Sequence, residues 1–177
     1  MEPKTLAKAP RRTGKAPPLP DAFQEPRALA AAILEAAWSK NAYQTRAIQV
    51  GSLVDYTDIF LILTGRSDRH VRAIADEIEA RMKQQGVLPL GIEGRQANTW
   101  ILLDYGDVVV HVFEKSARDY YNLDHLWGEA PPIPVEEPVW VKDFARFLMG
   151  PEQAHDLAVE EPVWVKDFAR SEDSGDW

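Results

Sequence analysis

The stretch that decides the fold is Thr99-Trp-Ile-Leu-Leu-Asp-Tyr-Gly-Asp-Val-Val-Val-His-Val-Phe113, two apolar β-rich runs joined by a turn. Tyr105-Gly106 has the composition of a two-residue loop, so the stretch predicts a β-hairpin. With that loop, one face pairs Trp100 with His111, Leu102 with Val109, and Asp104 with Asp107. This face is unusual because it combines an indole, an imidazole and two opposed carboxylates.

The other face of the predicted hairpin is aliphatic. Its pairs are Leu103 with Val108, Ile101 with Val110, and Thr99 with Val112. Such a composition is expected of a sheet face that packs on helices. The hairpin therefore predicts helices on its aliphatic side and a mixed aromatic and acidic surface on its other side.

Hydrophobic spacing places further elements around the hairpin. A helix is predicted from Pro26 to about Lys40, with one buried stripe made of Leu29, Ile33, Ala36 and Ala37. Strands are predicted at 47–51 and 58–64, then a helix capped by Ser67 that ends near Gly86, a short strand within 87–92, and a brief helix that begins at Ser116 or Asp119. We expect Tyr121, Leu123 and Leu126 to form a lid on the core. The order predicts an α/β (α+β) fold, a mixed β-sheet flanked by helices.

The two ends of the chain differ from the middle in charge. Residues 1–20 carry a net charge of +4, residues 21–128 of −4 and residues 129–177 of −8. Residues 1–25 are basic and rich in proline, and we expect them to be disordered; a transit peptide is the alternative, although scattered prolines would break its amphipathic helix. Because phosphate repels an acidic domain, we expect direct RNA contact at most through this N-terminal tail.

Residues 129–177 form an acidic tail, after a domain predicted at 26–128, and the tail contains a repeat. Val135-Glu-Glu-Pro-Val-Trp-Val-Lys-Asp-Phe-Ala-Arg146 recurs letter for letter as residues 159–170, an offset of 24 residues. Each copy places carboxylates and a proline before a helix start, and Trp and Phe four residues apart. One interpretation is a bivalent motif that docks on a partner. We favour the other, a duplicated segment that packs on its own domain or stays disordered.

Composition excludes several classes of protein. The 177 residues, of which 45% are hydrophobic, suit one packed domain. The absence of cysteine excludes disulfides and thiolate metal sites. No run reaches the roughly eighteen apolar residues of a membrane span, and Arg11-Arg12 lacks the apolar stretch of an export signal. We therefore expect a soluble, cytoplasmic protein without membrane contact.

The candidate catalytic residues are weak. Gly51-Ser52 with Asp55 and Asp58 is similar to the phosphate loop and magnesium carboxylates of nucleotidyltransferases. A magnesium-binding pair on one strand would be two residues apart, whereas these aspartates are three apart around a turn, so we favour turn and cap roles. The four histidines have no metal-ligand spacing, and no serine has the setting of a nucleophile. We expect no enzyme activity, no metal and no cofactor.

Several blocks in order resemble the Iojap family of ribosomal silencing factors. They are Asp58-Ile-Phe-Leu-Ile-Leu-Thr-Gly-Arg-Ser67, Arg69-His70-Val71, the hairpin, and Arg118-Asp-Tyr-Tyr-Asn-Leu-Asp-His-Leu-Trp127, within residues 26–127. The resemblance implies a nucleotidyltransferase-like fold without catalytic residues. It also implies binding to the large ribosomal subunit through its protein fourteen, which blocks joining of the small subunit and represses translation. A homodimer of the free protein is a further implication.

The candidate partner-binding residues lie mostly on the mixed side of the hairpin. They are Trp100, Leu102, Asp104, Tyr105 and Asp107, with Arg69 and His70 lower in rank. A central aromatic ringed by polar groups is how protein interfaces concentrate binding energy. Two other functions stay open at this point: a magnesium-dependent nucleotidyltransferase that uses Asp55 and Asp58, and a ribosome-bound adaptor that uses the repeated tail.

Overall fold

The computed structural model describes residues 17–153, which fold around a mixed sheet. The elements are a short 3-10 helix Asp21–Phe23, α1 Pro26–Trp38, β1 Tyr43–Gln49, β2 Ile59–Gly65, α2 Asp68–Gln84, β3 Gly91–Glu93, β4 Trp100–Asp104, β5 Val108–Glu114, α3 Lys115–Tyr121, α4 Leu123–Leu126, β6 Pro132–Ile133 and α5 Val139–Gln153. The strand order is β3-β4-β5-β2-β1-β6. The predicted α/β class with a mixed sheet is confirmed, whereas its nucleotidyltransferase-like character stays a prediction.

The parallel pair β2 and β5 forms the centre of the sheet. Ile59 pairs with Val108, and the register continues to Gly65 and Glu114. All seven residues of β2 are buried, as expected of a strand covered on both faces. β2 leads directly into α2, whose first turn is capped as predicted, with the Ser67 hydroxyl accepting a hydrogen bond from the backbone N–H of His70 at 3.1 Å.

Helices α1 and α2 cover one face of the sheet, which we call the helical face. The predicted stripe of α1 is fully buried there, and α2 contributes Val71, Ile74, Ala75, Ile78 and Met82. The sheet contributes the aliphatic side of the hairpin, namely Ile101, Leu103, Val108, Val110 and Val112, all with no exposed surface. The prediction that this side of the hairpin packs on helices is confirmed.

The hairpin forms, but its predicted register is wrong. Trp100 pairs with Phe113, Leu102 with His111, and Asp104 with Val109, so the turn residues are Gly106 and Asp107. Gly106 has φ +86°, and this register puts glycine at the first turn position, while the N–H of Tyr105, just after β4, donates to the Val108 carbonyl at 2.9 Å. The Asp104 carboxylate accepts a hydrogen bond from the Gly106 N–H at 2.8 Å. Asp104 and Asp107 are therefore not opposed. Because the register differs from the predicted one by two residues, an even number, each residue still lies on its predicted face.

The ordered domain continues past residue 128, where the sequence analysis ended it. Strand β6 pairs with β1, joining Ala47 to Ile133, and α5 then packs against the beginning of β1. Val141 and Ala145 of α5 are fully buried beside Tyr43. The first copy of the repeat therefore packs on its own domain, and the second copy lies outside the described residues. Within residues 17–153 no helix is long and apolar enough to cross a membrane.

Candidate functional site

The second face of the sheet is only partly covered, and we call it the groove face. Short helices α3 and α4, with Trp127 and Ala130, cover part of an apolar cluster on this face. Beside them lies an open groove of about 380 Å³. Its lining residues are Tyr56, Phe60, Glu93, Trp100, Leu102, Asp104, Val109, His111, Leu123, Leu126 and Trp127. We call it the Trp100 groove.

Aromatic rings from three neighbouring strands support the groove. The indole of Trp100 stacks on the ring of Phe113, with centroids 4.8 Å apart. Phe60 meets His111 edge-on at 5.0 Å and Trp127 at 5.3 Å. The Trp100 Nε1–H also donates a hydrogen bond to His111 Nδ1 at 3.2 Å, which fixes the orientation of the indole.

His111 is the polar group at the base of the groove. Its side chain is almost fully buried, and burial lowers its pKa from 6.5 to about 4, so the imidazole is neutral at pH 7. Because Nδ1 accepts from Trp100, the proton of the neutral ring belongs on Nε2. No atom of residues 17–153 accepts a hydrogen bond from that Nε2–H. Since the Nε2 atom is itself buried, the imidazole supports the indole of Trp100 from beneath the groove and offers no exposed donor.

The rim of the groove is acidic. Glu93 on β3 is exposed and Asp104 at the end of β4 is partly exposed, and none of the described lining residues is lysine or arginine. Burial raises the pKa of the Tyr56 phenol, and the charge of Asp104 adds to that increase. An apolar base with a carboxylate rim suits a ligand with positive charge on aliphatic stems, as lysine and arginine side chains have.

Three of the predicted contact residues meet in this groove: Trp100, Leu102 and Asp104, all partly exposed. Tyr105 does not join them. Its side chain has no exposed surface and belongs to the core of the helical face, because it follows Asp104 by one residue on an extended strand. Its inclusion among the surface contacts was wrong. Asp107 is partly exposed in the hairpin turn, outside the groove lining.

The structure does not bring Arg69 and His70 to the groove. Both lie in the first turn of α2, a helix of the opposite, helical face. His70 is held by the domain itself: Nε2–H donates to the carbonyl of Lys40 at 2.6 Å, and Nδ1 accepts from the Arg66 N–H at 2.9 Å. Burial is the main cause that lowers the His70 pKa. Arg69 is exposed, and its contact role stays a prediction.

Comparison with known proteins gives the family. The model of the family described as "Ribosomal silencing factor during starvation" matches residues 23–158. The chain belongs to this family. A ribosomal silencing factor of Halalkalibacterium halodurans is 43% identical over 97 residues, 55% of this chain and 83% of that protein. That of Bacillus subtilis is 45% identical over 92 residues, 52% of this chain and 78% of that protein.

The chain is also similar to a solved structure and to a eukaryotic protein. A crystal structure from Bacillus halodurans aligns with a TM-score of 0.56 and 38% identity, over 62% of this chain and 99% of that chain. A mouse protein named mitochondrial assembly of ribosomal large subunit protein 1 is 33% identical over 91 residues, 50% of this chain and 40% of that protein. Membership supports a ribosome-associated silencing role, as the sequence motifs implied.

Sequence reasoning missed several residues that line the groove of this silencing factor domain. Phe60 and Tyr56 were not proposed, because they face Trp100 only when β2 lies parallel to β5, and no local pattern encodes that pairing. The predicted lid is partly wrong. Leu123 is partly buried against the apolar cluster, whereas Tyr121 and Leu126 are 51% and 57% exposed. Since α4 has only four residues, it cannot cover the whole face.

Asp55 and Asp58, the candidate metal ligands, lie in and after the turn between β1 and β2. The backbone N–H of Asp58 donates to the carbonyl of Asp107 at 3.0 Å, and its own carbonyl accepts from Val50 N–H at 2.9 Å. These bonds connect the ends of three strands. Among residues 17–153, no three His, Asp or Glu side chains are grouped so that they could hold a metal ion.

Proposed function

We propose that this silencing factor represses translation by binding the large ribosomal subunit through its protein fourteen, on the face that meets the small subunit. Family membership supports the ribosomal role, and the name of the mouse relative refers to the large subunit. The mechanism requires occupancy and no catalysis, because a folded domain on that face overlaps sterically with the incoming small subunit. Repression then follows the ratio of free protein to its dissociation constant.

The main support for this proposal is the Trp100 groove. It is the apolar, aromatic part of a sheet face that the helices within residues 17–153 leave open, and it has an acidic rim. Ribosomal proteins must bind RNA phosphates, so their surfaces are rich in lysine and arginine. A basic segment of such a protein can place aliphatic stems against Trp100 and Leu102 and its charge near Asp104 and Glu93.

His111 supports the groove from its base. Its Nε2 atom is buried, so the ring contributes by fixing the orientation of the indole and not by bonding the partner. We expect the bound segment to lie over Trp100 and Leu102 with its charged groups toward the rim. The indole of Trp100, which stacks on Phe113 and donates a hydrogen bond to His111, is then the central anchor of the interface.

The experiment uses two exposed leucines. Leu126 is 57% exposed at the groove, and Leu88 is 42% exposed in the segment between α2 and β3, outside the groove lining. Leu126→Asp and Leu88→Asp make the same chemical change, and neither removes a buried side chain. We expect wild type and Leu88→Asp to cosediment with purified large subunits in sucrose gradients and Leu126→Asp to lose most of that binding.

The second readout is subunit joining, followed by light scattering. Wild type and Leu88→Asp should prevent the rise in scattering when small subunits are added, and Leu126→Asp should not. Equal activity of both variants would contradict the groove as the binding surface. Large-subunit binding without any effect on joining would contradict steric blocking. Binding to isolated protein fourteen, measured by calorimetry, tests the proposed partner itself.

The geometry of the described residues gives no further support to the other predictions about partners and activity. The absence of enzyme activity, the homodimer and a role of Asp107 and Arg69 stay predictions. Residues 1–16, which include most of the basic tail, lie outside the described residues, and the RNA contact expected of them is likewise a prediction. No observation in the described residues favours the nucleotidyltransferase alternative over turn roles for Asp55 and Asp58.

A further inference from the structure

The first copy of the repeat occupies a specific surface of the domain. We call it the repeat-binding surface and define it by Trp38, Tyr43, Thr45 and His70. A bulge in β1 creates it, because the pairing of β1 with β2 skips from Tyr43 to Arg46. Glu137 of the repeat accepts a hydrogen bond from the Thr45 N–H at 2.6 Å. The bulge thus provides a backbone donor that the repeat satisfies.

Apolar contacts of the repeat surround that hydrogen bond. The ring of Phe144 meets Tyr43 edge-on at 6.0 Å and His70 at 5.8 Å. Val141 and Ala145 are fully buried in the same cluster. The Trp140 Nε1–H donates to the carbonyl of Trp38 at 3.3 Å. A charged acceptor, three apolar side chains and an indole therefore bind this surface together.

Every one of these binding groups lies within the twelve repeated residues. The second copy supplies the same groups as Glu161, Trp164, Val165, Phe168 and Ala169. We propose that the repeat-binding surface accepts either copy, and that residues 159–170 of the same chain replace residues 135–146 when the first copy is released.

Two physical differences explain why the first copy is the bound one. It is joined to β6 by residues 134–138, whereas the second copy would be joined by residues 134–162, and the longer connection disfavours binding roughly tenfold. The first copy is also followed by Leu148, which packs on the same cluster, and the second by Glu172 at the equivalent place. The second copy is thus the weaker, alternative ligand of the repeat-binding surface. It covers Tyr43 and satisfies Thr45 while Trp140 and Phe144 become free to bind elsewhere.

The test is a double-mutant cycle in the full chain, with hydrogen exchange of the Thr45 amide as its readout. Phe144→Asp should lower the protection of this amide only about tenfold, because the second copy takes over. Phe168→Asp alone should leave it nearly unchanged. Phe168→Asp added to Phe144→Asp should remove the remaining protection. If the double variant matched Phe144→Asp, the second copy would not bind and the proposal would be overturned.

Two controls separate this result from damage to the fold and from association. Leu157→Asp, in the tail but outside the repeat, should change nothing in the Phe144→Asp background, while the amides of β2 should stay protected in all variants. A loss with Leu157→Asp equal to that with Phe168→Asp would overturn the proposal. The protection in Phe144→Asp should not depend on protein concentration. Protection that rises with concentration, together with a dimer mass in light scattering, would instead assign the site to a second molecule.

Discussion

Both faces of the sheet are apolar, but the helices within residues 17–153 cover the helical face more completely than the groove face. On the helical face, α1 and α2 leave Ile101, Leu103 and Val110 with no exposed surface. On the groove face, α3 and α4 are short, and Trp100 and Leu102 stay partly exposed in the open groove. We propose that burial on the helical face serves stability, whereas the incomplete cover of the groove face leaves apolar surface for a partner to bury.

Adjacent leucines of β4 give the largest expected contrast between the faces. Leu103 points into the helical core and Leu102 into the groove. We expect Leu103→Ala to lower the free energy of unfolding by about 3 kcal/mol, because it leaves a cavity in a packed core. Leu102→Ala should cost well under half of that and instead weaken binding to large subunits. Urea denaturation measures the loss of stability in each variant. Equal losses for Leu103→Ala and Leu102→Ala would contradict the difference between the two faces.

His111 predicts a pH dependence that belongs to the groove face. Its pKa is 6.5 ordinarily and about 4 in the folded protein, so the unfolded chain takes up this proton at a higher pH than the folded one. The neutral ring therefore stabilises the fold above pH 6.5, and the contribution is lost as the pH falls from 6.5 to 4. We expect a loss of about 3 kcal/mol over that range, measured by urea denaturation at several pH values.

The control for this pH effect is His111→Phe, which keeps an aromatic ring next to Phe60 and Trp100 but cannot titrate. The variant should lose less stability between pH 6.5 and 4 than wild type does. Burial also lowers the pKa of His70, which contributes with the same sign in both proteins. The free energy of unfolding of the variant should therefore still fall with decreasing pH, but less steeply. Identical slopes would show that His111 is not buried as a neutral ring.

Trp100→Ala tests the anchor of the groove. The indole is partly exposed and stacks on Phe113, so its removal takes away both contact area and a rigid support. We expect binding to large subunits to weaken by about 2 kcal/mol or more, roughly thirtyfold in the dissociation constant. Equilibrium binding measures this, and circular dichroism verifies that the variant is folded. A folded variant with wild-type affinity would contradict the assignment.

The acidic rim should give the smallest effect. Glu93 is exposed at the groove, and Glu35 is exposed on α1, on the helical face. We expect Glu93→Lys to slow association with large subunits roughly threefold at low salt, and less at high salt, because exposed charges act through screened attraction. Glu35→Lys changes the net charge equally and should have a smaller effect. Stopped-flow measurements at two salt concentrations distinguish the two variants.

Local signals predicted the elements that depend on neighbours in sequence. The buried stripe of α1 follows from helical spacing, and the start of α2 follows from the capping preference of Ser67. The faces of the hairpin were also predicted correctly, because they need only the alternation of a strand. The register of the hairpin was predicted wrongly. The composition of Tyr105-Gly106 predicts the two-residue loop there, whereas the loop is Gly106-Asp107, because glycine suits the first turn position.

Contacts between distant segments could not be predicted. The parallel pairing of β2 with β5 places Phe60 in the groove, and the bulge in β1 creates the surface that binds α5. Neither feature leaves a pattern in the segments concerned. The acidic composition after residue 128 favoured a tail, although Val141 and Ala145 already had the four-residue spacing of a buried helix face. The position of Trp100 in the groove could be predicted because its strand carries an indole among alternating aliphatic residues.

The most direct test of the central claim is a photocrosslink from the groove face to the ribosome. A photoreactive amino acid at position 126 lies on the groove, and the same residue at position 88 lies outside it. After irradiation of the protein bound to large subunits, we predict that position 126 crosslinks to protein fourteen and position 88 does not. Crosslinks from position 88 to that protein, with none from position 126, would contradict the account.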